Sequence, residues 1–353
     1  MEELQKLPGA LLPWYELHKR DLPWRKDKDP YHIWVSEIML QQTRVEAVKN
    51  YYTRFLDALP TVSALAQCDE ELLHKLWEGL GYYTRARNLK KSAKEIMDQY
   101  GGVFPKTYEQ ILALPGIGPY TAGAICSIAF DLPTPAVDGN VLRVISRVTN
   151  DPTPIDLPAY KKSVTDRLAE VYPARAGDFT QALMELGATV CGPNRRPDCE
   201  NCPCKDFCEG YLQNTAENLP VKLPKRERKR EEKTVFILSC DGRYALEKRP
   251  DEGLLAGLWQ FPNVREKLST QAIIDQVERN GLKIKEIHMQ VERKHIFTHI
   301  EWDMRGVYAE VTDCAGKFLW LTPEQIETRA ALPTAFRIFW DQVKNRETLE
   351  ISE

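Results

Sequence analysis

The chain has 353 residues, 43% of them hydrophobic, and 48 basic against 51 acidic side chains give a formal net charge of −3. That length favours two domains, each large enough to bury its own core. No apolar run reaches a membrane span, and the N-terminus MEELQKLPGALL lacks a basic stretch ahead of an apolar one, so a reducing compartment away from membranes is expected. The charge balance excludes a global field for polyanions; any such contact must rest on local patches.

Residues 1–220 read as helices almost throughout. Asp29-Pro30 supplies a cap and a first turn, and Trp34, Ile38, Val45, Val48, Tyr52 and Phe55 keep a roughly helical period. Thr43 followed by Glu46 has capping-box spacing, which predicts that one helix stops near Gln41-Gln42 and another starts at Thr43. Two amides at an exposed turn can probe a base pair or simply form a polar junction. Further helices are expected over 69–78, 82–100, 108–113, 120–130, 139–149, 158–171 and 176–189, with breaks at Gly79, Gly81 and Gly101-Gly102. Arg85, Arg87, Lys90, Lys91 and Lys94 lie at helical spacing beside Tyr82 and Tyr83, either as a phosphate-binding patch or as a solvated helix face.

The stretch LPGIGPYTAGAICSIAFDLPTPAVDGN carries the most information. Gly116 and Gly118 are expected to take backbone angles closed to other residues, and Pro119 suits the first turn of a following helix. Amides at a helix start hold phosphate without sequence preference. Asp138 stands just before VLRVISRV, at another helix N-terminus. A tight helix–helix turn and an ordinary Asp N-cap explain the same residues without any ligand.

Five of the nine cysteines fall in CGPNRRPDCENCPCKDFC, with seven, two and five residues between Cys191, Cys199, Cys202 and Cys208. Four thiolates in a short loop suit an iron–sulfur cluster or tetrahedral zinc, and Cys204 is a fifth candidate that leaves the ligand set open. Residues 221–233, VKLPKRERKREEK, read as a charged connector, either solvated or skirting DNA or a partner protein. After it the pattern turns to strands: TVFILSC, the turn Asp241-Gly242, then RYALEKR. Extended segments over 283–291 and 300–310 and helices over 270–280, 323–329 and 335–344 complete a compact α/β domain.

These stretches resemble a known family. LPWRKDKDPYHIWVSEIMLQQTRV, WEGLGYYTRARNL, LPGIGPYTAGAI and AVDGNVLRV are similar to the helix-hairpin-helix base-excision DNA glycosylases with an iron–sulfur cluster. Together with RPDEGLLAGLWQFP and the KHIFTH segment they point to its adenine DNA glycosylase branch, the MutY-like enzymes. The resemblance implies a multi-domain chain. Residues 1–220 would be an all-α catalytic region, with a helix-hairpin-helix six-helix subdomain at about 28–136 and an iron–sulfur subdomain from 1–27 and 137–220. Residues 221–233 would be the linker and 234–353 an α/β Nudix-like domain. The implied activity is monofunctional removal of adenine mispaired with 8-oxoguanine or guanine in duplex DNA, by a monomer in the cytoplasm, nucleoid-associated if bacterial. The implied cofactor is a [4Fe–4S] cluster on Cys191, Cys199, Cys202 and Cys208, folding a loop that presents Arg195, Arg196 and Lys205 to DNA; a structural cation at the hairpin loop is a further one. The linker is where repair or replication proteins would dock.

Breaking an N-glycosidic bond asks for a proton on the leaving base and negative charge near the sugar cation, so two carboxylates in unlike settings suit it. Glu37, among Trp34-Val35 and Ile38-Met39-Leu40, has an apolar setting that raises a carboxyl pKa, whereas Asp138 at a helix start favours the anion. By the resemblance, Glu37 protonates adenine N7, Asp138 stabilises the oxocarbenium ion, and Tyr120 and Asn140 position them. Gln42 and Tyr82 support the gap left by base flipping, with Leu40 nearby, and Arg20 and Trp24 shape the adenine pocket; for Leu40 and Trp24 core packing is an equal alternative. Gly116, Gly118 and Arg85 would face the DNA backbone. Tyr120 replaces the lysine of the strand-cleaving endonuclease III branch. Between Gly253 and Asn280 no Arg-Glu precedes a Glu-Glu pair, so the Nudix-like domain is expected to bind, with Phe297, Thr298 and His299 reading 8-oxoguanine. Two departures stand out: seven residues rather than six follow Cys191, and Thr298 occupies a position where many relatives carry Ser. The alternatives are a sister-branch pyrimidine or mismatch glycosylase and an inert DNA-binding scaffold. Tyr120 argues against the first, and the trio Glu37, Asp138 and Asn140 against the second.

Overall fold

A computed structural model describes residues 2–193, 196–224 and 227–350. Arg195, expected on the cysteine loop, lies outside the described residues. The chain forms two units: Met1–Cys68 with Arg87–Pro224, and Asp69–Ala86 with Lys225–Glu353. Among the described residues no helix is long and apolar enough to cross a membrane.

The first part of the chain contains α1 (Glu2–His18), α2 (Pro30–Leu40), α3 (Val45–Ala58), α4 (Val62–Gln67), α5 (Glu70–Trp77), α6 (Thr84–Tyr100), α7 (Tyr108–Ala113), α8 (Pro119–Phe130), α9 (Gly139–Val148), α10 (Pro158–Ala169), α11 (Ala176–Thr189) and the short α12 (Glu209–Leu212). Caps fix many of the starts. The Asp29 carboxylate accepts the Tyr31 N–H ahead of α2, and Thr61, Asp69 and Thr107 do the same for α4, α5 and α7. α2 and α8 are apolar on nearly every side, and both are buried, packed on each other. α8 also packs on α11, whose Phe179 and Leu183 share a core with Leu4, Leu7 and Leu11 of α1 and Val144 and Ile145 of α9. Gly123 of α8 lets the chain at Pro135 come close: a Cβ there would stand 2.2 Å from the Pro135 carbonyl oxygen. The same close approach packs the irregular segment ahead of Asp138 against α8.

Three local expectations need correction. Gln42 takes a left-handed conformation (φ 58°), so α2 ends at Leu40 and α3 starts at Val45, later than the capping-box spacing suggested. Arg44 takes the N-cap position without a side-chain cap, while the Thr43 hydroxyl donates to the Gln41 carbonyl (3.4 Å). Tyr82 is likewise left-handed (φ 48°), which delays α6 to Thr84. Of the hairpin glycines only Gly116 (φ 75°) needs to be glycine; Gly118 (φ −100°, ψ 175°) is ordinary extended backbone.

The second unit is built on β1 (Lys229–Cys240), β2 (Arg243–Lys248), β3 (Trp259–Gln260), β4 (Asn263–Val264), α13 (Thr270–Arg279), β5 (Ile284–Ile296), β6 (Ile300–Val311), β7 (Leu319–Leu321), α14 (Pro323–Arg329) and α15 (Thr334–Glu350). The sheet runs β3-β2-β1-β6-β5, with β4 on β1 and β7 on β2; β1 and β6 are parallel and the other pairs antiparallel. Side chains alternate between two cores. Val235, Ile237, Trp302 and Met304 meet α14 and α15, while Phe236, Leu238, Val307 and Ala309 meet α13. β1 starts at Lys229, inside the expected linker, because its backbone pairs with β6 from Ile300 onward, and Lys229 and Glu231 neutralise each other (3.0 Å). The unit also recruits Asp69–Ala86: the Glu78 carboxylate accepts the Leu332 N–H (3.0 Å) and an Arg337 N–H (2.9 Å). The second unit thus includes Asp69–Ala86 as well as the chain after the connector.

Gly123 of α8 and Gly118 just before it make a paired prediction. Gly123→Ala should cost about 1–3 kcal/mol and lower the thermal midpoint of the full chain, because backbone must move. Gly118→Ala, with open space around it, should stay within about 0.5 kcal/mol.

Candidate active site

The first unit brings Glu37, Tyr120, Asp138 and Asn140 together. Glu37 is buried on α2, 5% exposed, and its Oε2 accepts the Tyr120 hydroxyl at 2.7 Å. Burial, helped by the nearby Asp138 charge, pushes the Glu37 carboxyl up to about 7 from 4.5, against the opposing pull of the Tyr120 bond and Arg25. Burial also drives the Tyr120 phenol far up, so it remains a donor. Asp138 caps α9 and accepts from Asn140 N (2.9 Å), Asn140 Nδ2 (2.7 Å) and Val141 N (2.8 Å). Cap and carboxylate of interest are thus one residue, and the helix start surrounds it with donors.

A second charged cluster was not expected. Glu185 on α11 is wholly buried and accepts from Arg20 Nε (2.6 Å) and Arg25 Nη2 (2.7 Å). Burial alone would raise its pKa, but the two guanidiniums outweigh it and hold the carboxyl low. Arg25 therefore links Glu185 to the electrostatics of Glu37. The signal in the sequence was a lone acid inside the apolar run ALMELGA, the same kind of signal that marked Glu37. Trp24 is 8% exposed and packs edge-on against Tyr52, and Leu40 is half-buried at the end of α2. Gln42 is exposed at its left-handed turn, and Gln41 instead points inward, donating to Thr121 Oγ1 (3.2 Å).

The five cysteines of the loop line a single cavity with Val144, Arg147, Leu186 and Pro197. Arg147 donates to Cys191 Sγ (3.2 Å) and to its carbonyl (3.2 Å), and Arg143 to the same carbonyl (2.9 Å). Both arginines are nearly fully buried. Two buried guanidiniums at the rim of a thiol-lined cavity fit a group of net negative charge held by thiolates. Cys204 is fully buried at the same cavity, and its thiol hydrogen-bonds that of Cys202.

In the second unit the Tyr82 hydroxyl meets Thr298 Oγ1 (3.0 Å). Phe297 stacks edge-on between His295 and Trp302, and the His299 carbonyl accepts the Lys229 N–H (3.0 Å). Tyr82, Phe297, Thr298 and His299 line one groove with Arg228 and Arg230. Arg85 departs from the expected patch. Its guanidinium turns back to the Leu80 and Gly81 carbonyls (3.1 and 3.0 Å) and lies over the Trp77 and Tyr82 rings, and burial lowers its pKa to about 10. It stiffens the turn that carries Tyr82.

Comparison with known proteins places the chain in a family. The family model of the HhH-GPD superfamily of base excision DNA repair proteins matches residues 35–168, and that of the NUDIX domain matches 234–342. The adenine DNA glycosylase of Homo sapiens is 36% identical over 96% of this chain and 75% of that protein. The chain belongs to the adenine DNA glycosylases. The family member of Buchnera aphidicola (subsp. Baizongia pistaciae) is also 36% identical, over 82% of each chain. A thermostable thymine-DNA glycosylase structure matches 60% of this chain and 98% of its own, at 29% identity and a TM-score of 0.54. Endonuclease III trapped covalently on DNA shares the fold (TM-score 0.51, 22% identity, 60% of this chain and 98% of that one). As a member of this family the chain is a DNA-acting glycosylase, an enzyme of base excision repair.

The raised Glu37 pKa is also a stability statement. Between 4.5 and about 7 the folded state binds more protons at Glu37 than the unfolded one, so stability falls as pH rises through that window. Glu37→Gln removes this loss: its stability relative to the parent should rise with pH, reaching on the order of 3 kcal/mol by about pH 8. Urea unfolding at a series of pH values checks this; a pH-independent difference contradicts it.

Proposed function

We propose that this chain is a monofunctional glycosylase that removes adenine mispaired with 8-oxoguanine, or with guanine, from duplex DNA. The observation that carries the reading is the Tyr120–Glu37 hydrogen bond beside a helix-capping Asp138. A carboxyl near 7 is still protonated in about half of the molecules at neutral pH, and the protonated form gives its proton to the leaving base, as a general acid must. Glu37 donates to adenine N7; Tyr120, donating to Oε2, leaves the other carboxyl oxygen for the base. Asp138, ringed by donors, is the carboxylate that stabilises the sugar cation, with the option of a short-lived ester that water then opens. Tyr120 is a phenol where a strand-cleaving relative needs an amine, and a phenol forms no Schiff base. Arg20, fixed by Glu185, and Trp24 are the residues proposed to shape the pocket for the flipped base.

The cysteine loop is proposed to hold a [4Fe–4S] cluster, with Cys191, Cys199, Cys202 and Cys208 as ligands; bound there, it would fix the fold of the loop and present Arg196 and Lys205 to DNA. The partner-base reading rests on Tyr82, Phe297, Thr298 and His299, which share a groove whose lining mixes Arg228 and Arg230 with Glu227 and Glu301. Thr298 offers the hydroxyl that relatives take from Ser, and Tyr82 fixes its direction.

End-labelled duplexes test this reading. Single-turnover cleavage should appear at adenine only after hot alkali, fastest opposite 8-oxoguanine, and should slow as pH rises above about 7, where Glu37 loses its proton. Glu37→Gln and Asp138→Asn should each lower the rate by about 10²–10⁴-fold. Alkali-independent cutting at an oxidised pyrimidine would move the chain to the sister branch. In the same assay Thr298→Ala and Phe297→Ala should reduce the preference for 8-oxoguanine over guanine, with excision opposite guanine changed least; equal loss on both duplexes would refute the partner-base reading.

A further inference from the structure

The end of β1 and the segment after β6 bring together side chains that excision does not use. Cys240 closes β1, Asp241 opens the β1–β2 turn and Cys314 follows β6. Their two sulfurs and a carboxylate oxygen all lie within 4.8 Å of one another. The thiols hydrogen-bond each other, and the Cys314 sulfur also reaches the Cys240 carbonyl (3.6 Å). Cys240 is buried, Cys314 half-buried and Asp241 exposed, so the triad has a dry floor and an open mouth. The Asp313 carboxylate is near enough to add to the negative field on Cys240.

We infer that Cys240, Cys314 and Asp241 form a binding site for a soft divalent cation of the zinc class, separate from the cysteine loop of the first unit. Around tetrahedral zinc, thiolate sulfurs sit at about 2.3 Å and carboxylate oxygens at about 2.0–2.2 Å, which puts donors about 3.3–3.8 Å apart. Donors already within 4.8 Å need only small side-chain rotations to meet that geometry. Water or Asp313 supplies the fourth ligand. Binding displaces the two thiol protons to solvent and oxidises nothing. The turn geometry helps: Asp241 is left-handed (φ 48°) beside Gly242 (φ 70°), so the short loop turns its carboxylate back toward the thiol before it. A second acidic group, Glu286, His288 and Glu310, makes a useful contrast. Glu310 is already paired with Lys285 (2.8 Å), and the group offers two carboxylates and an exposed imidazole but no thiol. The thiol triad has the chemistry that selects zinc over magnesium or calcium.

The ion would clip the β1–β2 turn to the β6–β7 segment, at the opposite end of β6 from Phe297–His299. Excision is therefore not the readout. Full-length protein, with its iron content assayed, is stripped of loosely held metal and titrated with Cd²⁺ and with Zn²⁺. Wild type should take up about one equivalent more than Cys314→Ser, with a matching cadmium–thiolate charge-transfer band in the ultraviolet. Asp241→Asn keeps both thiols and should weaken Cd²⁺ binding about tenfold; it decides the matter if the cysteine variant fails to fold. Equal iron in all samples excludes metal on the first unit's loop as the source. Equal uptake by wild type and the variants, or a Cys240–Cys314 disulfide in protein purified under reducing conditions, would overturn the inference.

Discussion

A carboxyl group held away from water between two apolar helices costs free energy whenever it ionises, and the surroundings of Glu37 are organised around that cost. α2 and α8 could have met through hydrocarbon alone. Instead one position carries an acid and the facing one a phenol that satisfies a single oxygen. Tyr120 lowers the cost and burial raises it, and burial wins. Asp138, a short way off, is treated in the opposite way, ringed by the donors of a helix start. The same unit thus gives two carboxyl groups unlike surroundings, one dry and one ringed by the donors of a helix start, and the difference comes from backbone placement rather than from residue type.

Further back, the wholly buried Glu185 holds Arg20 and Arg25, and Arg25 acts on Glu37 in turn. Removing one arginine would leave a buried carboxylate under-compensated, so the cluster stands or falls together. Stability and the tuning of the acid are coupled through one guanidinium.

Local chemistry was legible in the sequence where it is decided locally. α7, α11 and α14 have the expected bounds, two of them because a threonine caps the start (Thr107 and Thr322). The two-core alternation of β1 and β6 follows from period-two patterning, and the all-α and α/β division from the change of period after residue 233. Features set by distant partners were not legible. Gln42 and Tyr82 are non-glycine residues in left-handed turns, which no propensity foretells. The KREEK run became strand because β6 offered it a ladder. Arg85 reads as a surface cation until the carbonyls of its own turn are seen to claim it. The Arg20–Glu185 pair spans 165 positions, beyond any window of periodicity.

The second unit takes Asp69–Ala86 from the middle of the first unit's chain. The polypeptide therefore passes between the units at 68/69, 86/87 and 224/225, and they are interleaved rather than strung in series. A cut in the connector would not release an intact module, since Glu78 and Tyr82 would stay behind and lose Arg337 and Thr298. Such a threaded arrangement makes the two halves one inheritance: neither can be exchanged for a homologous piece by recombination at a single point. It also returns the turn bearing Tyr82 to its partners only after the last third of the chain has been synthesised, so that turn is completed late on the ribosome.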